Sequence, residues 1–172
     1  MKYLAFVFLF SITNVYAETF VPAHAIPKES NFVLNAEQEV NGYAFFTGSQ
    51  PIEGAFELVF NEELNRLDFV IVPNKKSIRT LPYFTYRGTD ERPTEIHIHN
   101  LAGFSDELFN TDFIGMEINN GFQPKSGKGK FIISEFRMGY ECDSPYFIAM
   151  VEAVKSAKVD NKYVSLSYNK GC

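Results

Sequence analysis

The sequence predicts a mainly β fold, an antiparallel β-sandwich or barrel of roughly eight to ten strands. Three observations predict it. The chain holds 18 Phe and 9 Tyr with no Trp, and aromatic and β-branched side chains suit a half-buried pleated surface. Apolar residues alternate with polar ones at period two in several short stretches. Turn residues divide those stretches at intervals of about eight to twelve residues.

At the N-terminus, Lys2 supplies positive charge, Leu4 to Phe10 is unbroken apolar chain, and Val15-Tyr16-Ala17 suits a cleavage site. That order is a secretory signal, with cleavage expected after Ala17. Ser11, Thr13 and Asn14 interrupt the apolar run well short of the ~20 residues a spanning helix needs. No cysteine follows Ala17 closely enough to carry a lipid. The expected product is exported, to a bacterial periplasm or the medium, with no stable membrane anchor. The absence of any Asn-x-Ser/Thr acceptor after Ala17 favours the bacterial setting.

Residues 18–30, with Pro22 and Pro27, read as an extended arm, and residues 31–172 as one β-rich domain. Asn31 to Val40 and Tyr43 to Thr47 flank Asn41-Gly42, a hairpin turn dipeptide. Ala55 to Phe60 sets Phe56, Leu58 and Phe60 on one face, and Leu67, Phe69 and Ile71 repeat the period after the polar 61–65 turn. Pro73 and Pro82 mark a less regular stretch. Thr94 to Asn100 alternates, with Ile96 and Ile98 opposite Glu95, His97 and His99. Ser105 could cap a short helical turn ahead of Asp106 and Glu107. Asp112 to Ile118 reads as a strand, and Lys130 to Cys142 as a long one, apolar at Ile132, Phe136, Met138 and Tyr140, which would turn Cys142 inward.

Tyr146 to Val159 supports two readings. Its aromatic and β-branched residues favour a strand, followed by an Asp160-Asn161 turn into an alternating Tyr163 to Tyr168. Its alanines and lysines after Ser144-Pro145 favour a helix over 145–158, which would make the fold α+β.

Full-chain net charge is −5, one unit more negative without Lys2, so polyanions are repelled and nucleic acid is excluded as a natural partner. The basic runs 75–79 and 125–130 read as solvated loops. The second lacks the spacing and the Ser or Thr of a phosphate loop. No nucleophile elbow, Cys-x-x-Cys pair, calcium loop or His-Glu-x-x-His helix occurs.

The remaining candidate for chemistry is Glu95-Ile96-His97-Ile98-His99, whose strand period brings two imidazoles and a carboxylate to one face. Such a pair suits zinc or a similar divalent metal, but a third ligand is needed, and Glu117, Asp112 and His24 are the conceivable ones. Either imidazole could instead act as a general base. The competing reading is that these side chains form the wet face of an amphipathic strand.

Cys142 and Cys172 are the only cysteines. In an exported chain they are expected to pair. A three-strand meander and a β-α-β crossover would each bring them to one end of the domain, and the bridge would contribute roughly 3 to 4 kcal/mol.

The function expected is therefore a non-catalytic binding or accessory domain without a cofactor, recognising a protein, a glycan or a small apolar ligand. Tyr43, Phe45, Phe46, Tyr83, Phe84 and Tyr86 are the candidate aromatic surface, though most could be core. The alternative is a metal-dependent hydrolase or lyase centred on His97 and His99.

Overall fold

The computed structural model describes residues 23–38, 42–61, 66–109, 123–141 and 144–166. The signal segment, the expected strand Asp112 to Ile118, and Cys142 and Cys172 lie outside them. The described strands are β1 (Ala23–Ala25), β2 (Val33–Gln38), β3 (Tyr43–Asn61), β4 (Arg66–Pro73), β5 (Tyr83–Tyr86), β6 (Thr89–Glu91), β7 (Ile96–Ile98), β8 (Lys125–Glu141) and β9 (Ser144–Val159). Two helical turns, α1 (Lys75–Ile78) and α2 (Ser105–Phe109), and a 3-10 turn at Leu101–Gly103 complete the fold. The mainly β expectation holds, and no described helix is long and apolar enough to cross a membrane.

The large sheet closes on itself. β3 pairs β4, β4 pairs β7, β7 pairs β9, β9 pairs β8, and β8 returns to β3. Every pairing in this five-stranded ring is antiparallel except β7 with β9. Closure leaves those five strands few free ladder groups. A second, three-stranded sheet, β1-β5-β6, packs against the barrel near the start of β3. Its Phe84 meets Tyr140 and Phe147 edge-on or tilted, and His24 meets Phe46.

β3 unites two stretches that the sequence reads as separate strands. β2 pairs with its first part, Tyr43 to Thr47, and β4 with its last, Gly54 to Asn61, while β8 runs along the opposite edge. A bulge separates the two parts at Gly48, whose φ is 102° and where a Cβ would meet the Asn31 carbonyl. Pro51 is tolerated because its side of the strand faces the gap between β2 and β4. Two residues on, Glu53 bonds across that gap to α1: its N–H donates to Ser77 Oγ and its carbonyl accepts from Asn74 N–H.

β8 changes phase as it runs. Phe131 and Ile133 are buried before a bulge at Glu135, where φ is 47°, and Phe136 and Met138 are buried after it. The even-position alternation read from the sequence holds only beyond that bulge. The run 125–130 is strand, correcting the loop expectation. Gly127 and Gly129 leave room for the Phe56 and Phe131 rings, which a Cβ at either position would strike.

Residues 144–159 are strand, which overturns the helix alternative. Phe147, Ala149 and Val151 fill the barrel at period two while Tyr146, Ile148 and Met150 face out. Of the Ala and Lys positions that suggested a helix, Ala149 is core, Ala153 is half-buried, and Lys155, Ala157 and Lys158 lie on the exposed far end of β9, where lysines discourage edge pairing. Arg87 and Gly88, both with positive φ, make a two-residue hairpin between β5 and β6 that the sequence reading missed.

The core is two linked phenylalanine groups. Phe32, Phe46, Phe136 and Phe147 pack toward the small sheet. Phe56, Phe69 and Phe131 pack together and are covered by Phe104 and Phe109 from the 3-10 turn and α2. Ser105, expected as a cap, is fully buried, and its Oγ has no partner among the described residues.

The expected last strand, Tyr163 to Tyr168, is not formed over residues 161–166. The chain instead crosses the outside of the barrel. Asp160 N–H donates to the Ser126 carbonyl at 2.8 Å, and Val164 N–H to Ser126 Oγ at 2.9 Å. Leu166 N–H donates to Glu57 Oε2 at 2.9 Å, and the Tyr163 hydroxyl donates to Glu57 Oε1. Beneath this strap Glu57 is 1% exposed and Ser126 2%. Carboxylate and hydroxyl replace the ladder bonds that a paired strand would have supplied.

Candidate ligand-binding surface

Because side chains alternate along each strand, filling the barrel with Ala44, Phe46, Phe136, Met138, Phe147 and Ala149 turns the intervening residues outward. The register aligns them in a row across five strands: Ala36, Phe45, Arg137, Ile148 and His97. Phe45 and Ile148 are half-buried. The Arg137 guanidinium lies 5.7 Å from the centroid of the Phe45 ring and donates to Glu135 at 3.0 Å. One step toward the small sheet, Tyr146 stands opposite Gly139 and meets the Tyr43 ring at 5.9 Å, 69° from parallel.

His97 closes the row. Its Nε2 is 3.5 Å from Glu95 Oε1, so these two expected site residues do come together, on the outside of the barrel. His99 does not join them: it is exposed beyond the end of β7, and its N–H donates to the Ala149 carbonyl at 3.2 Å. Strand pairing ends there because Asn100 takes over, its side-chain amide bonding both the N–H and the carbonyl of Val151 at 2.8 Å. Of the conceivable third ligands, His24 is on β1 with its ring against Phe46, and Asp112 and Glu117 lie outside the described residues. No group of three potential ligands forms among the described residues.

The aromatic candidates divide. Phe46 and Phe84 are core. Tyr43, Phe45, Tyr83 and Tyr86 are half-buried, and all but Tyr43 lie against a cation: Arg137 by Phe45, Arg92 at 3.8 Å over Tyr83, and Arg87 at 5.1 Å over Tyr86. Sequence reasoning missed Tyr146, Arg137 and Gly139. The signal available was the outward half of the alternation in the two long strands, on which the sequence placed Arg137 opposite the apolar positions of β8 without marking it as a site residue.

Flat half-buried rings bordered by Arg137, Glu135, His97 and Glu95 can stack on a ligand's apolar faces while hydrogen-bonding its edges. No family model matches the chain, and neither a curated protein nor a solved structure does.

Proposed function

We propose that this chain is an exported, non-catalytic binding protein that takes a glycan on the outer strip formed by Tyr43, Phe45 and Tyr146, with Arg137, His97 and Glu95 along its border. The observation that carries the reading is the Tyr43–Gly139–Tyr146 arrangement. Two tyrosines meet across a glycine on the outer face of a barrel whose interior is already filled with phenylalanine. Buried aromatics account for the core, so these outer rings are surplus to it, and a sugar ring presents the mixture of C–H faces and hydroxyl edges that such a strip fits. Net negative charge favours a neutral or cationic polymer over an acidic one.

Co-sedimentation of the purified mature protein with chitin, cellulose and peptidoglycan tests the reading. At least one polymer should retain the wild type, and Tyr43→Ala with Tyr146→Ala should abolish retention without lowering thermal stability by more than a few degrees. Retention by none of the three, or retention indifferent to both tyrosines, would overturn it.

A further inference from the structure

The basic runs 75–79 and 125–130, far apart in sequence, meet at Glu53. Lys130 stands opposite it in the β3–β8 register, 3.9 Å from its carboxylate, and α1 is seated on its other edge through Ser77 and Asn74. Because Gly127 and Gly129 face the core rings, Lys128 and Lys130 point outward, and β9 sets Lys158 directly across from Lys128. The strap adds Lys162, between the residues it anchors on Ser126 and Glu57. Lys75, Lys76, Lys128, Lys130, Lys158 and Lys162 are all exposed. The carboxylates beside them are Glu53, which pairs with Lys130, and Asp160, whose Oδ2 lies 3.5 Å from Ser126 Oγ. Like charges directly opposite on paired strands are destabilising, so Lys128 and Lys158 cost the bare protein stability that an anion laid over both would restore.

We propose that this face docks the protein peripherally on an anionic lipid surface, with headgroup phosphates over the lysines. Val164 stands at its border, 57% exposed, with its N–H on Ser126 Oγ, so an apolar side chain accompanies the charges. The negative net charge of the chain does not oppose the contact at close range. Exposed charges farther apart than the Debye length of ~8 Å are largely screened, and Glu135 and Glu91, the latter bonded to Tyr140, lie toward the other end of β8. A flexible soluble polyanion would meet those carboxylates as it wrapped the barrel, whereas a planar surface touches one face. Lysine also suits diffuse attraction to a headgroup layer better than bidentate capture of a single phosphate. The face lies at the 126–130 end of β8 and the aromatic strip at 137–139, so the docking is independent of the glycan reading.

Co-sedimentation of the full mature chain with vesicles tests the docking, using phosphatidylcholine alone or about two parts phosphatidylcholine to one of phosphatidylglycerol. The mixed vesicles should retain the protein at low salt and release it as ionic strength rises, and phosphatidylcholine alone should not retain it. Lys128→Glu with Lys158→Glu should weaken retention at least about tenfold. Lys128→Glu alone should also weaken it, whereas Lys28→Glu makes the same charge change in the N-terminal arm and should leave it within about twofold. Lys128→Glu turns a like-charge pair into an opposite one, so its urea midpoint should be no lower than wild type, which separates lost docking from lost fold. No retention by the mixed vesicles, equal retention by phosphatidylcholine, equal losses in Lys28→Glu and Lys128→Glu, or a Lys128→Glu midpoint below wild type would overturn the proposal. Retention on dextran sulfate without retention on vesicles would overturn it too, and would assign the face to a soluble polyanion.

Discussion

Tyr43 and Tyr146 approach edge-to-face at 5.9 Å over a position where β8 carries no side chain. A Cβ on Gly139 would run into the Tyr146 ring. Glycine in a strand interior is costly in chain entropy, so its place here is explained by the ring that lies across it. Gly139→Ala should force the ring aside at a cost of about 1 to 3 kcal/mol, read from urea unfolding. It should also weaken glycan retention, whereas Gly88→Asn, in a turn where a Cβ meets nothing within 4 Å, should leave retention unchanged.

Phe56 sits at the centre of the second phenylalanine group. Its ring stacks on Phe69 at 5.5 Å, meets Phe109 and Phe131 edge-on, and occupies the space above Gly127. Phe56→Ala should cost about 3 to 5 kcal/mol, because strand and α2 cannot both collapse into the cavity. Val33→Ala, at a side chain 64% exposed, should change stability by less than about 0.5 kcal/mol. Urea midpoints of the two variants should differ accordingly.

The alternation at Phe56, Leu58, Phe69, Ile71, Ile96 and Ile98 made the inward faces of β3, β4 and β7 legible, because period two survives wherever a strand is unbroken. Bulges at Gly48 and Glu135 defeated it elsewhere. The first hid the continuity of β3, and the second mixed two phases within β8: Arg137 faces away from the core as the alternation implied, but Ile132 does not face into it. The helix alternative for β9 arose from Ala149, Ala153 and Ala157 with Lys155 and Lys158 after Ser144-Pro145, yet Ala149 is core at strand period and only 155–158 form an exposed end, beyond the Ile148 and Ala149 that β7 pairs. The strap was illegible for a different reason. Tyr163-Val164-Ser165-Leu166 alternates like a strand, and the buried Glu57 and Ser126, which no local pattern marks as its partners, divert it. His97 and Glu95 did share a face as the spacing implied, but His99 lies past the residue at which Asn100 ends the ladder.

Export is the premise of the binding reading and has its own measurement. Lys2, the apolar run and Ala17 predict cleavage between Ala17 and Glu18. Intact mass of the protein recovered from the periplasm or medium should match residues 18–172. A full-length chain retained in membrane fractions would contradict it.

Tyr163 supplies a pH dependence that reports on the strap alone. Burial raises its pKa above the ordinary phenol value of 10.0, the hydrogen bond it donates to Glu57 raises it further, and the negative charge of Glu57 adds to the effect, with Ser165 opposing. The folded chain thus keeps the phenol proton at a pH where the unfolded chain has begun to lose it. Where the folded state binds more protons, stability falls as pH rises. The contribution is complete below pH 10.0 and disappears as pH climbs through the raised value, when phenolate and carboxylate would face each other. Tyr163→Phe removes both the proton and the bond, so its urea midpoint should be lower than wild type below pH 10.0 and should decline less steeply above it. The wild-type minus Tyr163→Phe difference in tyrosinate absorbance should show a midpoint above 10.0. Glu57→Gln, which removes the facing charge, should bring that midpoint down. A difference curve centred at or below 10.0 would mean that the Tyr163 hydroxyl is not seated on Glu57 in solution.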